Sequence, residues 1–504
     1  MKKLFATIVV LTLAVSAFFL TGCGSNDNGD DAARDYVNVG WSARIMMLDP
    51  IGTNSTQEFI LYNSIFSTLV TFDSNDNLQL DLASSWHHSD DHLTYTFVVR
   101  EDVSFHDGTP LTIHDVLYSI NERMEDSWAA AGFAAFDTVE IVGNSIVINL
   151  HFRDRAIMRS LAQIYVVPEA QHSALGREGF ADAINGSGPF FLYDFDHATG
   201  NFTIVRNDNY HGTAPYLREI NSRWIADAST RIIALETGEI DFANIPLDPI
   251  DLVRAHADLE VLLVDADTTF FLNFNTTQAP FDNPALRRAI AHAIDHEAVG
   301  IVHASEGITV TTELQTPMWR RLPAPANVIT FDRDYALQIL ADAGIQTPID
   351  IGEFLVMTPQ AHIGVQIQSD LRVIGIETTL TTLDPGMWVP RFVASDFMFT
   401  VSSQLPDICF VRYFTNSFQS DSPGNAVGYN NPAMDALIIQ LNDAATDAEA
   451  DAVVVQILEI LYADVPLMAL FQPQSSYGFN RNLVVEKGIS CSRYGGFQEL
   501  RWAN

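Results

Sequence analysis

The first thirty residues constrain where the rest of this chain can fold. The basic start Met1–Lys3 leads into an apolar run without a charge, Leu4–Leu20, and then into Thr21-Gly22-Cys23. A basic segment, an apolar core and small residues at its end are typical of a secretory signal. We therefore expect a signal peptide over residues 1–22 and a mature chain outside the cytoplasmic membrane.

Cys23 indicates how the exported chain is held. A cysteine directly after the small residues is the pattern of a bacterial lipobox, and the polar stretch 24–31 suits a tether. The alternative is a transmembrane anchor, but an apolar run of about 17 residues is at the short end of what spans a bilayer. We expect lipid on the Cys23 sulfur, because two or three acyl chains hold a protein well at a membrane. We also expect a flexible tether over 23–36.

The composition excludes several classes of function. No segment after Cys23 reaches 18 apolar residues, and 47% apolar residues exclude a disordered chain. The 63 acidic and 27 basic residues give a net charge of -36, which repels nucleic acids and anionic lipid headgroups. The charge could also favour cationic ligands, although a diffuse acidic surface usually serves solubility or adaptation to salt or acid.

Short strand and helix patterns alternate along the chain, which predicts an α/β fold. Residues 35–41 alternate as a half-buried strand, and the apolar spacing over 59–69 predicts a helix. Asn283-Pro284 predicts the start of another helix, with proline at its first position. Asp332 and Gly344 predict the cap and the stop of a third.

A series of motifs then occurs in one order along the chain. They are Ala83-Ser84-Ser85-Trp86, Ser89-Asp90-Asp91, Thr94-Tyr95-Thr96-Phe97, Val103-Ser104-Phe105-His106-Asp107-Gly108, Gly186-Ser187-Gly188-Pro189-Phe190, Asn273-Phe274-Asn275, Pro280-Phe281-Asp282-Asn283-Pro284 and Gly428-Tyr429-Asn430-Asn431-Pro432. This collinear series resembles the family 5 extracellular solute-binding proteins of bacterial ABC importers, the oligopeptide-, dipeptide- and nickel-binding type. The resemblance covers essentially all of 37–490.

The resemblance implies a two-lobed periplasmic-binding-protein clamshell of the class II type. Lobe I would comprise 37–265, with an extra subdomain at about 71–185, and the chain would return to it over 475–504. Lobe II would comprise 266–474. The cleft would close on its ligand by a hinge motion.

The resemblance also implies the partners and the place of work. We expect a monomer that binds a short peptide or another small molecule and delivers it to ABC permease subunits and their ATPase. It would be lipid-anchored in the periplasm or on the outer face of the cytoplasmic membrane, where tethering raises its effective concentration near the permease. We expect no enzymatic activity and no cofactor.

The candidate ligand-binding residues follow from the needs of a peptide and from the family pattern. A peptide requires a carboxylate for its amine, and Asp407 lies where relatives have an acidic segment, although one Asp remains and the order is Pro-Asp. Arg412 could receive the carboxylate end. Further candidates are Trp388, Phe271 near the lobe crossover, and the loop residues Asn54, Ser55 and Thr56. The ordinary alternatives are a turn Asp, a surface Arg, core aromatics and a solvated loop.

Other classes of function stay open at this point. His292 and His296 are four apart on a helix and could hold a metal, but two solvated histidines are the simpler interpretation, and we expect no metal site. A secreted hydrolase is disfavoured because G-x-S-x-G and H-E-x-x-H are absent from the sequence. The same scaffold could bind an oligosaccharide, an opine or a nickel chelate.

The sequence also gives expectations for two cysteines and for Arg287. Cys409 and Cys491 are far apart in sequence, so a disulfide and two free thiols both stay possible. Arg287, on the helix after Asn283-Pro284, is expected to pair with a local carboxylate rather than with ligand.

Overall fold

The computed structural model describes residues 34–52, 56–73, 77–126, 130–266, 268–311, 314, 327–404, 410–485 and 495–503. Several residues named above lie outside these ranges: Cys23, Asn54, Ser55, Asp407, Cys409 and Cys491. Within the described ranges, no helix has the length and apolar content needed to cross a membrane.

The strands are short, apart from one near the C-terminus. They are β1 Tyr36–Trp41, β2 Val70–Phe72, β3 Leu78–Leu80, β4 Ala83–His88, β5 Thr94–Val99, β6 Phe136–Val142, β7 Ser145–Leu150, β8 Phe190–Asp196, β9 Asn201–Arg206, β10 Glu219–Trp224, β11 Phe242–Ile245, β12 Leu259–Asp265, β13 Thr269–Phe274, β14 Ile308–Val310, β15 Ile349–Met357, β16 Ile376–Leu383, β17 Phe399–Gln404, β18 Leu467–Asn480, β19 Leu483–Val484 and β20 Arg501–Trp502.

The α-helices alternate with these strands. They are α1 Thr56–Ile65, α2 Ile113–Glu125, α3 Ile157–Leu161, α4 Glu169–Ala181, α5 Ala228–Glu236, α6 Ile250–Ala255, α7 Pro284–Ala293, α8 His296–His303, α9 Arg333–Asp342, α10 Ala361–Val373, α11 Pro385–Val393, α12 Phe410–Phe418, α13 Pro432–Asp443 and α14 Asp447–Asp464.

Strand β18 joins two groups of strands into one continuous path. The order is β16-β15-β17-β13-β18-β11-β1-β10-β9-β8, and β12 and β14 also pair with β18. The first half of β18 pairs with β13, and its second half, from Gln474, pairs with β12. The chain therefore passes between the two groups at two neighbouring places, at residues 265–269 and 471–474.

Three large hydrophobic cores correspond to three bodies. The lobe I core includes Val37, Phe66, Phe190 and Tyr477, and the lobe II core extends from Phe270 to Phe471 and also includes Ala156. A third core, from Leu69 to Val166, lies under the separate sheet β4-β5-β7-β6, and we call this body the extra subdomain. Phe180 belongs to the lobe I core, so the extra subdomain's own core ends before the expected border near 185.

Local sequence signals explain several helix ends. The Asn283 side chain accepts a hydrogen bond from the Ala285 N–H at the start of α7, and Asp332 accepts one from the Tyr335 N–H at the start of α9. Gly344 follows α9 with a φ of 69°, a conformation that favours glycine. These predicted helix starts are confirmed.

The first helix ends earlier than its apolar spacing predicts. α1 stops at Ile65, where the backbone N–H of Gly188 donates to the Ile65 carbonyl at 2.8 Å. A Cβ on Gly186 would lie 2.1 Å from the same carbonyl oxygen. The glycines of Gly186-Ser187-Gly188 therefore allow a second segment to take the place of the next helical turn, so the prediction of helix through Leu69 is wrong.

Candidate ligand-binding cleft

A cavity of about 500 Å³ lies where the chain passes between lobe I and lobe II. Its wall is formed by segments 41–43, 244–248, 303–304 and 473–477, with Ile45, Ile60 and Phe202. Both lobes and the crossing strand β18 therefore contribute to one cavity, which is the geometry that a hinged cleft requires.

Hydrogen bonds among the wall residues fix the lobe I side of the cavity. Asn244 Oδ1 accepts from the Ser42 N–H at 2.9 Å, and its Nδ2 donates to Ser42 Oγ at 2.6 Å. Ser476 Oγ donates to the Ile245 carbonyl at 2.6 Å. The ends of β1 and β11 are thereby held against β18, so this wall is formed in advance of binding.

Aromatic rings form a second feature of the wall. The Trp41 ring lies 6.5 Å from that of Tyr477, edge to face, and Tyr477 stacks on Phe242 at 5.3 Å. The Trp41 Nε1 atom is buried and has no hydrogen-bond partner among the described residues. A buried indole N–H normally has an acceptor, so the donor of Trp41 is unsatisfied among the described residues.

Three titratable residues lie close together, and two of them, Asp248 and His303, line this cavity. His303 Nδ1 and His362 Nε2 are 3.3 Å apart, and Asp248 lies close enough to act on both rings. Burial lowers the pKa of His303, the neighbouring His362 lowers it further, and Asp248 opposes the shift. Burial also lowers the pKa of His362. The two imidazoles are therefore neutral at pH 7.

A second cavity of about 360 Å³ lies within lobe II, on one face of its sheet. Asn273, Phe392, Gln404 and Ser417 contribute to its lining. Asn273 donates through Nδ2 to Ser402 Oγ at 2.9 Å, while its buried Oδ1 has no partner among the described residues. Gln404 is the last described residue before 405–409, the segment that carries Asp407 in the sequence.

The extra subdomain contacts lobe II through arginines. Arg153 and Arg155 donate to the carbonyls of Asp443 and Ala444 at 3.1 and 3.0 Å, and Arg155 also contacts Asp447. These carbonyls lie at the C-terminal end of α13. The two bodies are therefore in contact at a site other than the crossing strands, as in a closed clamshell.

Arg412 takes part in a second contact of this kind. Its Nη1 donates to the Gly132 carbonyl at 2.9 Å and to Ser160 Oγ at 3.1 Å, both in the extra subdomain. The structure thus places this guanidinium between the bodies and not among the residues that line the two cavities.

The two predicted aromatic contacts lie in the interior of lobe II. Trp388 is 5% exposed, donates from Nε1 to Thr400 Oγ1 at 3.0 Å and stacks on Phe392. Phe271 is 2% exposed and stacks on Tyr413. Their packing differs from the expected cleft position, because Trp388 packs from α11 onto Leu355 and Phe397, and Tyr413 of α12 lies against Phe271. Thr56 begins α1, and its side chain is outside the described part of the chain.

The histidine and arginine expectations need correction. His296 is not solvated but buried, because the start of α8 packs into lobe II, and burial lowers its pKa to about 4. No group of three metal-binding side chains occurs among the described residues. Arg287 pairs with no carboxylate there; its Nε donates to the carbonyls of Asp464 and Val465 at 2.8 and 3.0 Å, which end α14.

Sequence reasoning missed the cavity wall itself, including Trp41, Asn244 and Asp248. A signal was present, because Trp41 ends a strand and is followed by small residues, and Asp248 follows the buried strand β11. Residues at strand ends next to a lobe crossing are candidates for a cleft. The pairing of β1 with β11, in which Val39 lies opposite Phe242, could not be read from the local pattern.

The fold and the cavity define a two-lobed binding protein whose lobes are joined by crossing strands. The family of bacterial extracellular solute-binding proteins, family 5 (middle region), matches residues 77–426, and the chain belongs to this family. The family comprises the substrate-binding proteins of ABC importers and not enzymes.

Curated relatives and a solved structure agree with this assignment. The chain is 24% identical to a probable D,D-dipeptide-binding periplasmic protein, DdpA of Escherichia coli, over 89% of this chain and 91% of the relative. It is 22% identical to the oligopeptide-binding protein AppA of Bacillus subtilis over 95% of each chain. DppA of Helicobacter pylori, solved with the peptide STSA, has a TM-score of 0.77 over 93% of this chain and 98% of that chain, at 22% identity. The predicted two-lobed α/β fold is confirmed.

Proposed function

We propose that this protein is the membrane-anchored, extracytoplasmic binding component of an ABC importer and that it captures short peptides. The observation that carries the proposal is a cavity at the lobe crossing in a chain of family 5. Relatives named for dipeptides and oligopeptides support a peptide as the ligand.

The proposed cycle begins with an open cleft. A peptide binds between the lobes, the two crossings at 265–269 and 471–474 act as the hinge, and the arginine contacts form as the lobes close. The closed protein, a monomer, then docks on the permease, and the ATPase drives release. A ligand can shift this equilibrium only through contacts that it makes in the closed state alone.

The peptide would be held at both ends and along its main chain. Asp407 is the candidate acceptor for the α-ammonium group, and Asn54, Ser55 and Thr56 are candidates for the facing loop. The second cavity, with Asn273 and Gln404, would receive a side chain next to Asp407. Arg412 would support these contacts by holding the closed lobes together. Trp388 and Phe271 would support them from the lobe II core.

The bound solute can be identified directly. The full chain is purified without denaturation and then unfolded, and the released small molecules are identified by mass spectrometry. A set of short peptides is expected. A single sugar, opine or metal chelate would contradict the peptide proposal and leave the family assignment unchanged.

Asp407→Ala tests the proposed amine contact. Loss of a carboxylate that pairs a buried ammonium should weaken peptide binding by about 2–5 kcal/mol, measured by calorimetry. Asp421→Ala, at an exposed position of the same lobe, is the matched control and should bind as the wild type. Equal affinities for the two variants would remove Asp407 from the site.

A further inference from the structure

The hinge cavity has an unbalanced set of charges. Its lining residues include one carboxylate, Asp248, and one imidazole, His303, and no Lys or Arg among the residues that the structure describes. Asp248 is exposed and makes no hydrogen bond or ion pair with a described side chain. The wall therefore presents a negative charge without a cation to balance it.

The nearby basic groups do not supply that cation. Arg254, on α6 close to Asp248 in sequence, contacts Glu306 at 2.7 Å and Asp251 at 3.3 Å. His303 and His362 share one contact and are neutral, as described above. The counter-charge for Asp248 is thus absent from the described wall and can come from a ligand.

The other wall groups suit a positively charged ligand. Trp41, Tyr477 and Phe202 present aromatic surface, and a cation near such rings is stabilised by their electron-rich faces. A carboxylate beside aromatic rings is a common recognition chemistry for ammonium and guanidinium groups.

The charge of the whole chain acts in the same direction. With a net charge of -36, the surrounding potential attracts cations and repels anions over distances set by the ionic strength. This effect alone would not define a site, but it adds to the local charge of the cavity.

We propose that the hinge cavity receives a positively charged group of the ligand, an ammonium or a guanidinium, with Asp248 as its counter-ion. This inference rests on the proposed function, because it names the charge class that the same cleft selects. It places the cation-binding carboxylate in lobe I, in addition to the candidate Asp407 of lobe II.

The test compares Asp248→Asn with the wild type on matched ligands. The full chain is titrated by calorimetry with Ala-Ala-Ala, Ala-Lys-Ala, Ala-Glu-Ala, the N-acetylated forms of the first two, and the non-peptide amine agmatine. The wild type should prefer Ala-Lys-Ala to Ala-Glu-Ala. Asp248→Asn should lose about tenfold in affinity for the cationic group and keep its affinity for probes that lack it.

The acetylated probes separate the two sources of charge. A loss for Ala-Ala-Ala that is absent for its acetylated form assigns the α-ammonium group, and a loss that persists for acetylated Ala-Lys-Ala assigns the side chain. Asp251→Asn, three residues away and already paired with Arg254, is the control and should match the wild type.

The outcomes also separate this inference from the proposed function. If the wild type binds agmatine, Asp248→Asn binds agmatine more weakly, and no peptide binds, the peptide proposal fails and the charge assignment stands. If the peptides bind and Asp248→Asn matches the wild type on every probe, the charge assignment is overturned alone. A wild type that binds no cationic probe overturns it as well.

Discussion

His296 is a buried imidazole and His106 a half-buried one, and protonation of either opposes folding. Burial lowers the pKa of each to about 4, while a histidine in an unfolded chain titrates near 6.5. Below pH 6.5 the unfolded chain therefore binds protons that the folded chain does not bind until about pH 4. Stability is lost as the pH falls through this window, by about 2 kcal/mol per residue at pH 5.

His296→Gln tests this at one position. The variant lacks one titrating group, so its free energy of unfolding should fall by about 2 kcal/mol less than that of the wild type between pH 7.5 and pH 5. Urea unfolding at the two pH values gives the comparison. His197→Gln, whose side chain is 62% exposed, should follow the wild type. If the free energy of unfolding falls by the same amount between the two pH values in His296→Gln and His197→Gln, His296 does not titrate in this window.

Single residues also show what local pattern can and cannot predict. The caps at Asn283 and Asp332 were predictable because a cap bonds within its own turn. The partners of Arg287 were not predictable from local pattern, because the carbonyls that it binds lie 177 and 178 positions away, at the end of another helix.

Helix ends explain how the extra subdomain and lobe II are joined. The last carbonyls of a helix have no partner within it, and α13 ends at Asp443 with Ala444 after it. The guanidinium groups of Arg153 and Arg155 donate to these two carbonyls, and the Asp447 contact begins the next helix, α14. A positive group at the C-terminal end of a helix is also favoured by the helix dipole.

Replacing both arginines should favour the open cleft. The Arg153→Ala/Arg155→Ala variant loses contacts worth roughly 1–2 kcal/mol in total, since they are partly exposed. Its scattering radius should be larger than that of the wild type without added ligand. Its affinity should fall by the same factor for every ligand, because the closed population falls.

Arg100→Ala is the control for this pair of substitutions. Arg100 contacts Asp102 within the extra subdomain at 2.8 Å, so its loss should change neither radius nor affinity. An arginine pair variant with the radius and affinity of the wild type would contradict the role in closure.

At the scale of the whole molecule, three cores are joined by few chain crossings. β18 is long because it belongs to two groups of strands, and its two halves pair with strands of different lobes. The contacts at the hinge and at the end of α13 lie on separate parts of the lobe II surface. A motion about the hinge can therefore break the second set of contacts, together with the packing of Ala156, while the rest of each core stays intact.

Membrane attachment is a property of the whole molecule that Cys23 would control. We expect the wild type to fractionate with membranes and Cys23→Ser to be released, since the thioether to lipid cannot form. Immunoblots of membrane and soluble fractions give the result. Cys409→Ser keeps the lipobox intact and should stay with the membranes. Membrane retention of Cys23→Ser would contradict lipid anchoring.

The amino-acid sequence determined the class of this protein, and the tertiary structure decided which side chains meet at the cleft. Strand alternation, caps and a collinear motif series are local, so they predict the α/β class, two helix starts and the family. The hinge cavity depends on segments near residues 42, 245, 303 and 475, which only the folded chain brings together. Trp388 and Phe271 illustrate the same limit, because an aromatic residue has the same sequence pattern whether it faces a cleft or is covered by a helix.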